Sequence, residues 1–374
     1  MAVKRIGVLT GGGDCPGLNP TIKGVVTRAA DFGIEVLGLQ NGWKSLVGAE
    51  PDYLPLTVDE VRPIIKQGGT ILHTSRTNAY NKKNAEYLPN LVKNVEKLGL
   101  DAIVAIGGDD TLSVASRLTK GDNLERPVPC VGVPKTMDND VFGTDQCFGF
   151  DTSVTLAMHA VQRLRDTADS HNRVLVLEVF GRKAGWTALY TAIASDADYV
   201  LIPERNPANL EGLFDKLREV RKRRNYALVV VAEGADHPDL DSWADEIAQG
   251  INGTRLGEMS VEIDSFGHPI LKERRVGDWC AWQIKNELGW DTRVSVMAHL
   301  MRGGQPTLTD RILGARMGVA AAEYAHAENF GVMAALKGQD IVPFPLEELT
   351  DANGKSITRD VTPAWMQLGD VLMK

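Results

Sequence analysis

The sequence predicts an α/β protein of two similar three-layer domains, each a mainly parallel sheet covered on both faces by helices. Three observations predict it. Short β-branched runs alternate with longer segments whose apolar residues recur at spacings of three and four, the pattern of parallel strands joined by crossover helices. The most apolar runs, at 174–180 and 227–232, have the length of buried strands and fall far short of the roughly 18 residues of a membrane span. The chain has 374 residues, 43% of them hydrophobic, which is enough to fill more than one core. No segment is low in complexity, and no unit of about 20–50 residues repeats.

In chain order, strands are expected at 3–9, 35–39, 102–106, 129–133, 173–180, 199–202, 226–232 and 293–298, each a short run rich in Val, Ile, Leu or Ala. Helices are expected at 92–98, 111–118, 152–167, 210–224 and 311–326, where the three–four spacing is clear, and another opens behind the glycine-rich turn after the first strand. The two domains meet near residue 150. The segment 250–272 is less regular, with turns expected at Phe266-Gly267-His268-Pro269 and at Asn353-Gly354.

Composition removes several classes of function. Lys and Arg number 41 against 49 Asp and Glu, a formal charge of −8, which argues against a broad nucleic-acid or anionic-membrane surface. An anionic ligand must then be met by local cations. The first residues enter a strand pattern at once, without a signal-peptide core, so a cytoplasmic protein is expected. Cys15, Cys130, Cys147 and Cys280 are scattered, as reduced thiols are, and no HExxH or zinc spacing occurs.

In an open parallel sheet ligands bind beyond the carboxyl ends of the strands, so those loops are where chemistry is expected. After the first strand comes a glycine-rich turn, 10–19, that suits a phosphate at a helix N-terminus, or simply packs helix on strand. It is neither a dinucleotide fingerprint, since Pro16 stands where the last glycine belongs, nor a P-loop, whose only GK[ST] string, at 354–356, lacks its first glycine at Leu349. After 102–106 comes Gly107-Gly108-Asp109-Asp110-Thr111. Asp110 suits a helix cap, whereas Asp109 beside two glycines suits Mg²⁺ and a phosphate. After 129–133 comes Pro134-Lys135-Thr136-Met137-Asp138-Asn139-Asp140. If extended, it turns Thr136, Asp138 and Asp140 to one face as a base-like cluster; polar residues of a solvated turn would look the same. Arg173, Arg182, Arg293 and Arg302 lie at the ends of expected strands, and together they suit a phosphorylated substrate.

These residues carry a resemblance. The blocks GGDCPGLN at 12–19, GGTILHTSR at 68–76, GGDDT at 107–111, PKTMDND at 134–140, SHNR at 170–173, EVFGRKAG at 178–185, VAEGA at 231–235, HLMRGG at 299–304 and DRILGARMG at 310–318 resemble, in order, those of the phosphofructokinase family. The resemblance implies Mg²⁺-dependent phosphoryl transfer to the 1-hydroxyl of fructose 6-phosphate, in a cleft between the two domains. It implies a donor domain at 1–149, completed by about 303–345, a sugar-phosphate domain at 150–302, and a C-terminal segment at 346–374. Carried over by position, Asp138 is the general base, with Thr136, Asp140 and Lys135 beside it, and Asp109 binds the metal. Gly12, Gly13, Arg76, Gly108, Asp110 and Lys135 line the donor. Thr136, Asp138, Phe180, Gly181, Arg182, Glu233, His299 and Arg302 hold the sugar phosphate. Arg173 and Arg293 match residues that the family supplies from a neighbouring subunit, which implies a homodimer or homotetramer.

Two positions select the donor. ATP-dependent relatives carry glycine where this chain has Asp110 and Lys135, so the pair resembles the pyrophosphate-dependent branch: the carboxylate opposes an α-phosphate and the lysine suits a short, highly charged donor. ATP as donor is the alternative. A non-catalytic regulatory subunit is a second, opposed by the intact set Asp109, Asp138, Asp140, Arg173 and Arg302. Phe180 and Met301 depart from the family's commoner residues, which bears on whether sedoheptulose 7-phosphate is accepted.

Overall fold

A computed structural model describes residues 2–243, 275–351 and 355–373; the segment 250–272 and the turns expected at 266–269 and 353–354 lie outside the described residues. The chain divides into two compact units. The first takes the residues up to Thr152 and Arg302–Thr358; the second begins at Ser153, includes the chain up to Met301, and takes it up again at Arg359.

The first unit is built on a seven-stranded sheet of β1 (Arg5–Thr10), β2 (Glu35–Leu39), β3 (Tyr53–Leu56), β4 (Ala102–Gly107), β5 (Cys130–Pro134), β10 (Val332–Lys337) and β11 (Asp340–Pro345), in the order β11-β10-β5-β4-β1-β2-β3. The five inner strands run parallel, and β3 and β11 turn back antiparallel at the two edges. Burial follows position. Every residue of β4 is buried, as a central strand covered on both faces requires. The edge strands carry Pro55, Pro343 and Pro345, which cannot donate to a further strand and so end the sheet.

Helices α1 (Leu18–Asp31), α2 (Lys44–Val47), α3 (Val58–Val61), α4 (Tyr87–Leu98) and α5 (Asp109–Lys120) connect these strands. A late helix of the same unit, Leu308–His326, lies backbone to backbone on α1, because a Cβ on Gly318 would stand 2.2 Å from Thr21 O and one on Gly24 2.4 Å from Ala315 O. Buried Asn19 ties α1 to the 67–71 loop, donating to Gln67 O and Gly68 O and accepting from Ile71 N.

The second unit holds a four-stranded, wholly parallel sheet of β6 (Val174–Val179), β7 (Tyr199–Leu201), β8 (Ala227–Ala232) and β9 (Thr292–Val296), in the order β7-β8-β6-β9. Around it lie α6 (Phe150–His171), α7 (Trp186–Ser195), α8 (Leu210–Arg221) and α9 (Val276–Leu288); α10 is the Leu308–His326 helix, and α11 (Pro363–Leu372) packs on α7 through Trp365, Tyr190 and Trp186. One face of this sheet buries Trp279 and Trp290 with Leu213, Leu217 and Ile284. Among the described residues no helix is long and apolar enough to cross a membrane. All four cysteines are buried and free.

All eight expected strands form within two residues of their expected bounds, and all five expected helices form, several of them longer than expected. Strands β3, β10 and β11 and helices α2, α3 and α11 were not anticipated, and α7 and α9 lie between expected strands without bounds having been expected for them.

Candidate active site

In the first unit the glycine-rich turn leaves β1 and enters α1. Its first two amides are already engaged: Gly11 N donates to Ile106 O at 2.9 Å and Gly12 N to Ser75 O at 3.0 Å, while Thr74 Oγ1 donates to Gly12 O at 2.6 Å. The expectation of free glycine amides around an anion is therefore not met at these two positions. The glycines have other reasons. A Cβ on Gly11 would strike the Thr111 side chain at 2.4 Å, so this glycine packs α5 against the sheet; Gly12 has a left-handed φ of +81°. At Gly13 a Cβ would stand 2.4 Å from Nη1 of Arg302.

The loop is instead flanked by cations. Lys135 Nζ donates to Gly13 O at 2.5 Å, and Arg302 Nη1 donates to Asp14 O at 3.0 Å. Lys135 is 4% exposed, and its backbone N–H continues the β4–β5 pairing onto Gly107 O. No carboxylate lies within ion-pair distance of its ammonium among the described residues. Burial pulls the Lys135 pKa below that of an ordinary lysine, the Arg302 guanidinium adds to that, and the Asp14 carboxylate opposes it. Cys15, on the same turn, is pushed up to about 12 by burial and stays a thiol.

Asp109 and Asp110 are the first two residues of α5, both half-buried, where the helix N-terminus favours negative charge. The N-cap position belongs to Gly108, which has no side chain to cap with, so neither aspartate is the capping residue. Arg76 is exposed, on the segment whose Ser75 carbonyl receives Gly12.

The segment after β5 is not extended. It bends at Met137 and Asp138, and Asn139 adopts a left-handed φ of +55°, held by its side-chain oxygen, which accepts from Cys147 N at 2.9 Å. Burial still alternates: Met137 and Asn139 are buried while Thr136, Asp138 and Asp140 are half-exposed. Thr136 Oγ1 accepts from Asp138 N at 3.1 Å, the local turn that brings the hydroxyl beside the base candidate.

In the second unit the carboxyl ends of β6, β8 and β9 gather five of the expected residues. Glu233 N donates to Val179 O and Gly234 N to Gly181 O, and a Cβ on Gly234 would stand 2.1 Å from Arg182 O, so the turns bearing Phe180, Gly181, Arg182 and Glu233 lie in direct contact. Phe180 meets His299 edge to face, ring centroids 5.9 Å apart. Met301 is fully buried.

Arg173 and Arg293 lie at the other end of the same sheet. Arg173 immediately precedes β6 and Arg293 is the second residue of β9, opposite Leu175. Both reach one carboxylate that the sequence did not single out: Asp291, whose Oδ2 is 2.6 Å from Arg173 Nε and whose Oδ1 is 2.5 Å from Arg293 Nη1. Desolvation works to raise the Asp291 pKa, and the hydrogen bonds and charges of Arg293 and then Arg173 outweigh it, leaving it below the ordinary carboxylate value.

The chain's similarities agree with this geometry. The pattern of the phosphofructokinase family matches residues 5–325. The pyrophosphate--fructose 6-phosphate 1-phosphotransferase of Dictyoglomus thermophilum is 45% identical over 98% of this chain and 98% of its own length. ATP-dependent 6-phosphofructokinase 3 of Streptomyces coelicolor is 42% identical over 93% of this chain and 95% of its own. The crystal structure of pyrophosphate-dependent phosphofructokinase from Marinobacter aquaeolei shares the fold, with a TM-score of 0.73 at 22% identity over 99% of this chain and 92% of that one.

Proposed function

Because the chain belongs to the phosphofructokinase family, we propose that it moves a phosphoryl group from pyrophosphate to the 1-hydroxyl of fructose 6-phosphate, giving fructose 1,6-bisphosphate, reversibly, in the glycolytic and gluconeogenic chemistry of the cytoplasm. The donor is the point at issue, since relatives named for each donor are almost equally similar. The observation that carries the choice is Lys135, a buried ammonium whose hydrogen bond among the described residues goes to the Gly13 carbonyl of the glycine turn. Such a cation is costly in the free protein and is compensated by a compact, highly charged anion. Asp110, which is not the helix cap, supplies the opposing half: its charge disfavours the α-phosphate of a nucleotide.

In the reaction Asp138 accepts the proton of the sugar 1-hydroxyl as it attacks, with Thr136 ordering the turn and Asp140 beside it on the same segment. Lys135 meets charge on the transferred group, with Arg302, assigned to the sugar phosphate, beside the same turn, and such positioning and electrostatics supply most of the catalysis in phosphoryl transfer. Gly12, Gly13 and Gly108 leave room beside the donor, and Arg76 lies along it. Asp109 is the residue assigned to Mg²⁺. A half-buried carboxylate at a helix start beside Gly107 and Gly108 would fit Mg²⁺, which is commonly held by one or two carboxylates with water and phosphate oxygens. When bound, the ion neutralises charge on the pyrophosphate.

Glu233, His299, Arg182 and the Phe180-Gly181 turn take the sugar phosphate. Arg173 and Arg293 stand at the opposite end of a six-residue strand, on the order of 20 Å away, too far to share one small ligand with that group within a chain. This supports a homodimer or homotetramer in which the two arginines serve a neighbouring copy's site.

The test is a donor comparison at saturating fructose 6-phosphate and Mg²⁺. Wild type is expected to use pyrophosphate, and Asp110→Gly is expected to raise kcat/KM for ATP by at least about tenfold, or about 1.4 kcal/mol. Preference of the wild type for ATP would sink the reading.

A further inference from the structure

The resemblance gives roles to Arg173 and Arg293 but none to the carboxylate between them. Asp291 is built into the frame that carries both. Its carbonyl accepts from Val174 N at 2.9 Å, Arg173 N donates to Ala168 O, Ala227 N donates to Arg173 O, and the adjoining Trp290 is buried with its indole N–H on Asn172 O at 3.0 Å. The backbones of Asp291 and Arg173 are thus fixed relative to each other across the β6–β9 pairing. The contacts are also divided economically. Asp291 lies against Nε of Arg173 as an ion pair and accepts a hydrogen bond from Nη1 of Arg293, the latter also bonded to Thr292 O, so each guanidinium keeps one two-nitrogen edge of the kind that binds a phosphate bidentately.

We propose that Asp291 is a positioning residue that holds the guanidiniums of Arg173 and Arg293 together as one two-pronged receptor for the phosphate of fructose 6-phosphate on a neighbouring copy. The proposal rests on the reading of those arginines as shared sugar-phosphate residues. Two effects of the carboxylate oppose each other: it aligns the arginines, and its charge weakens their pull on an anion. Alignment wins, because the three side chains are 31%, 42% and 53% exposed, where water screens charge but does nothing to restore a lost geometry. The triad also retains a net positive charge.

The test is steady-state kinetics of the full-length oligomer. Asp291→Asn keeps the side-chain volume and removes the charge; it should raise KM for fructose 6-phosphate about tenfold, with kcat within about twofold and KM for pyrophosphate unmoved. Asp291→Glu keeps the charge and should recover part of the loss. Arg173→Ala and Arg293→Ala are measured alongside, and each should raise the same KM at least about tenfold. In a chain lacking both arginines, Asp291→Asn should add nothing, which a merely structural residue would not satisfy. If the arginine variants raise KM and Asp291→Asn does not, or if Asp291→Asn still acts without the arginines, the positioning role is overturned and the shared-arginine reading stands. If the arginine variants leave KM unchanged, that reading fails and this one with it.

Discussion

The first unit's Lys135 and the second unit's Arg173–Asp291–Arg293 triad solve the problem of holding positive charge in opposite ways. Lys135 is buried, hydrogen-bonded to Gly13 O and, among the described residues, without a carboxylate at ion-pair distance, so the free protein bears its desolvation. The arginines are partly exposed and joined through a carboxylate. A cation left uncompensated has the most to gain when an anion arrives. One already compensated gains little energy and contributes orientation instead.

The largest effect is therefore expected at Lys135. Lys135→Met should lower kcat/KM for pyrophosphate by about 10³, or about 4 kcal/mol, the scale on which a buried charge loses its partner. The same variant should melt at a higher temperature than wild type, because removing the desolvated ammonium outweighs the one hydrogen bond to Gly13. The advantage should depend on pH in a defined direction. The folded protein holds this proton less tightly than the unfolded chain, so between the two pKa values the unfolded state binds more protons and wild-type stability rises with pH. The gap in melting temperature between variant and wild type should shrink as the solution becomes alkaline. A variant that melts below wild type at neutral pH would break the contrast.

A smaller effect is expected where the second cation meets the turn. A Cβ at Gly13 would collide with the tip of Arg302 at 2.4 Å, and the tip of a flexible side chain moves cheaply. Gly13→Ala should displace the guanidinium and lower kcat by about 10², with the melting temperature within about 1 °C of wild type. Gly24→Ala is the control, since it makes the same 2.4 Å clash with a carbonyl oxygen of the facing helix. It should cost about 1–3 kcal/mol of stability through overpacking. If Gly13→Ala destabilises as Gly24→Ala does, Arg302 is structural rather than a cation poised at the site.

What the sequence disclosed follows the same division between local and distant. Strands β4 and β8 were legible because both faces are buried and every residue is apolar. Strands β3 and β11 were not, because edge strands carry prolines where the pattern would have β-branched residues, and β10 is recognised only by its pairing with β5 and β11. Within the site, the glycine turn and the aspartates of α5 could be read as contiguous strings. The contacts that give them meaning could not: Lys135 reaches Gly13 across 122 positions and Arg302 reaches Asp14 across 288. Nor could the bend at Asp138, which depends on the left-handed Asn139 and its bond to Cys147 N. Asp291 showed no signal at all, being one acidic residue two positions before an arginine on a chain with many of both.

The smallest expected recovery tests the other half of the comparison, that the arginines act on a neighbour. Asp138→Asn should lower kcat by about 10²–10⁴ on its own, and Arg173→Ala should impair every site that depends on it. Mixed in one oligomer the two defects fall on different sites. A site whose own subunit carries intact Asp138 and whose neighbour carries intact Arg173 is whole; its counterpart bears both lesions. For random dimers from equal amounts, half the dimers are mixed and each has one whole site, so about a quarter of all sites should work. Both parents must be assayed at fructose 6-phosphate concentrations below the wild-type KM, where the Arg173→Ala defect is fully expressed. Activity near a quarter of wild type in a random mixture verified to contain hybrids, or near half in hybrids purified from it, supports arginines that reach across the interface. If the hybrids show only the mean of the parents, Arg173 serves its own subunit, and the ends of the second unit's sheet would have to be brought together in some other way.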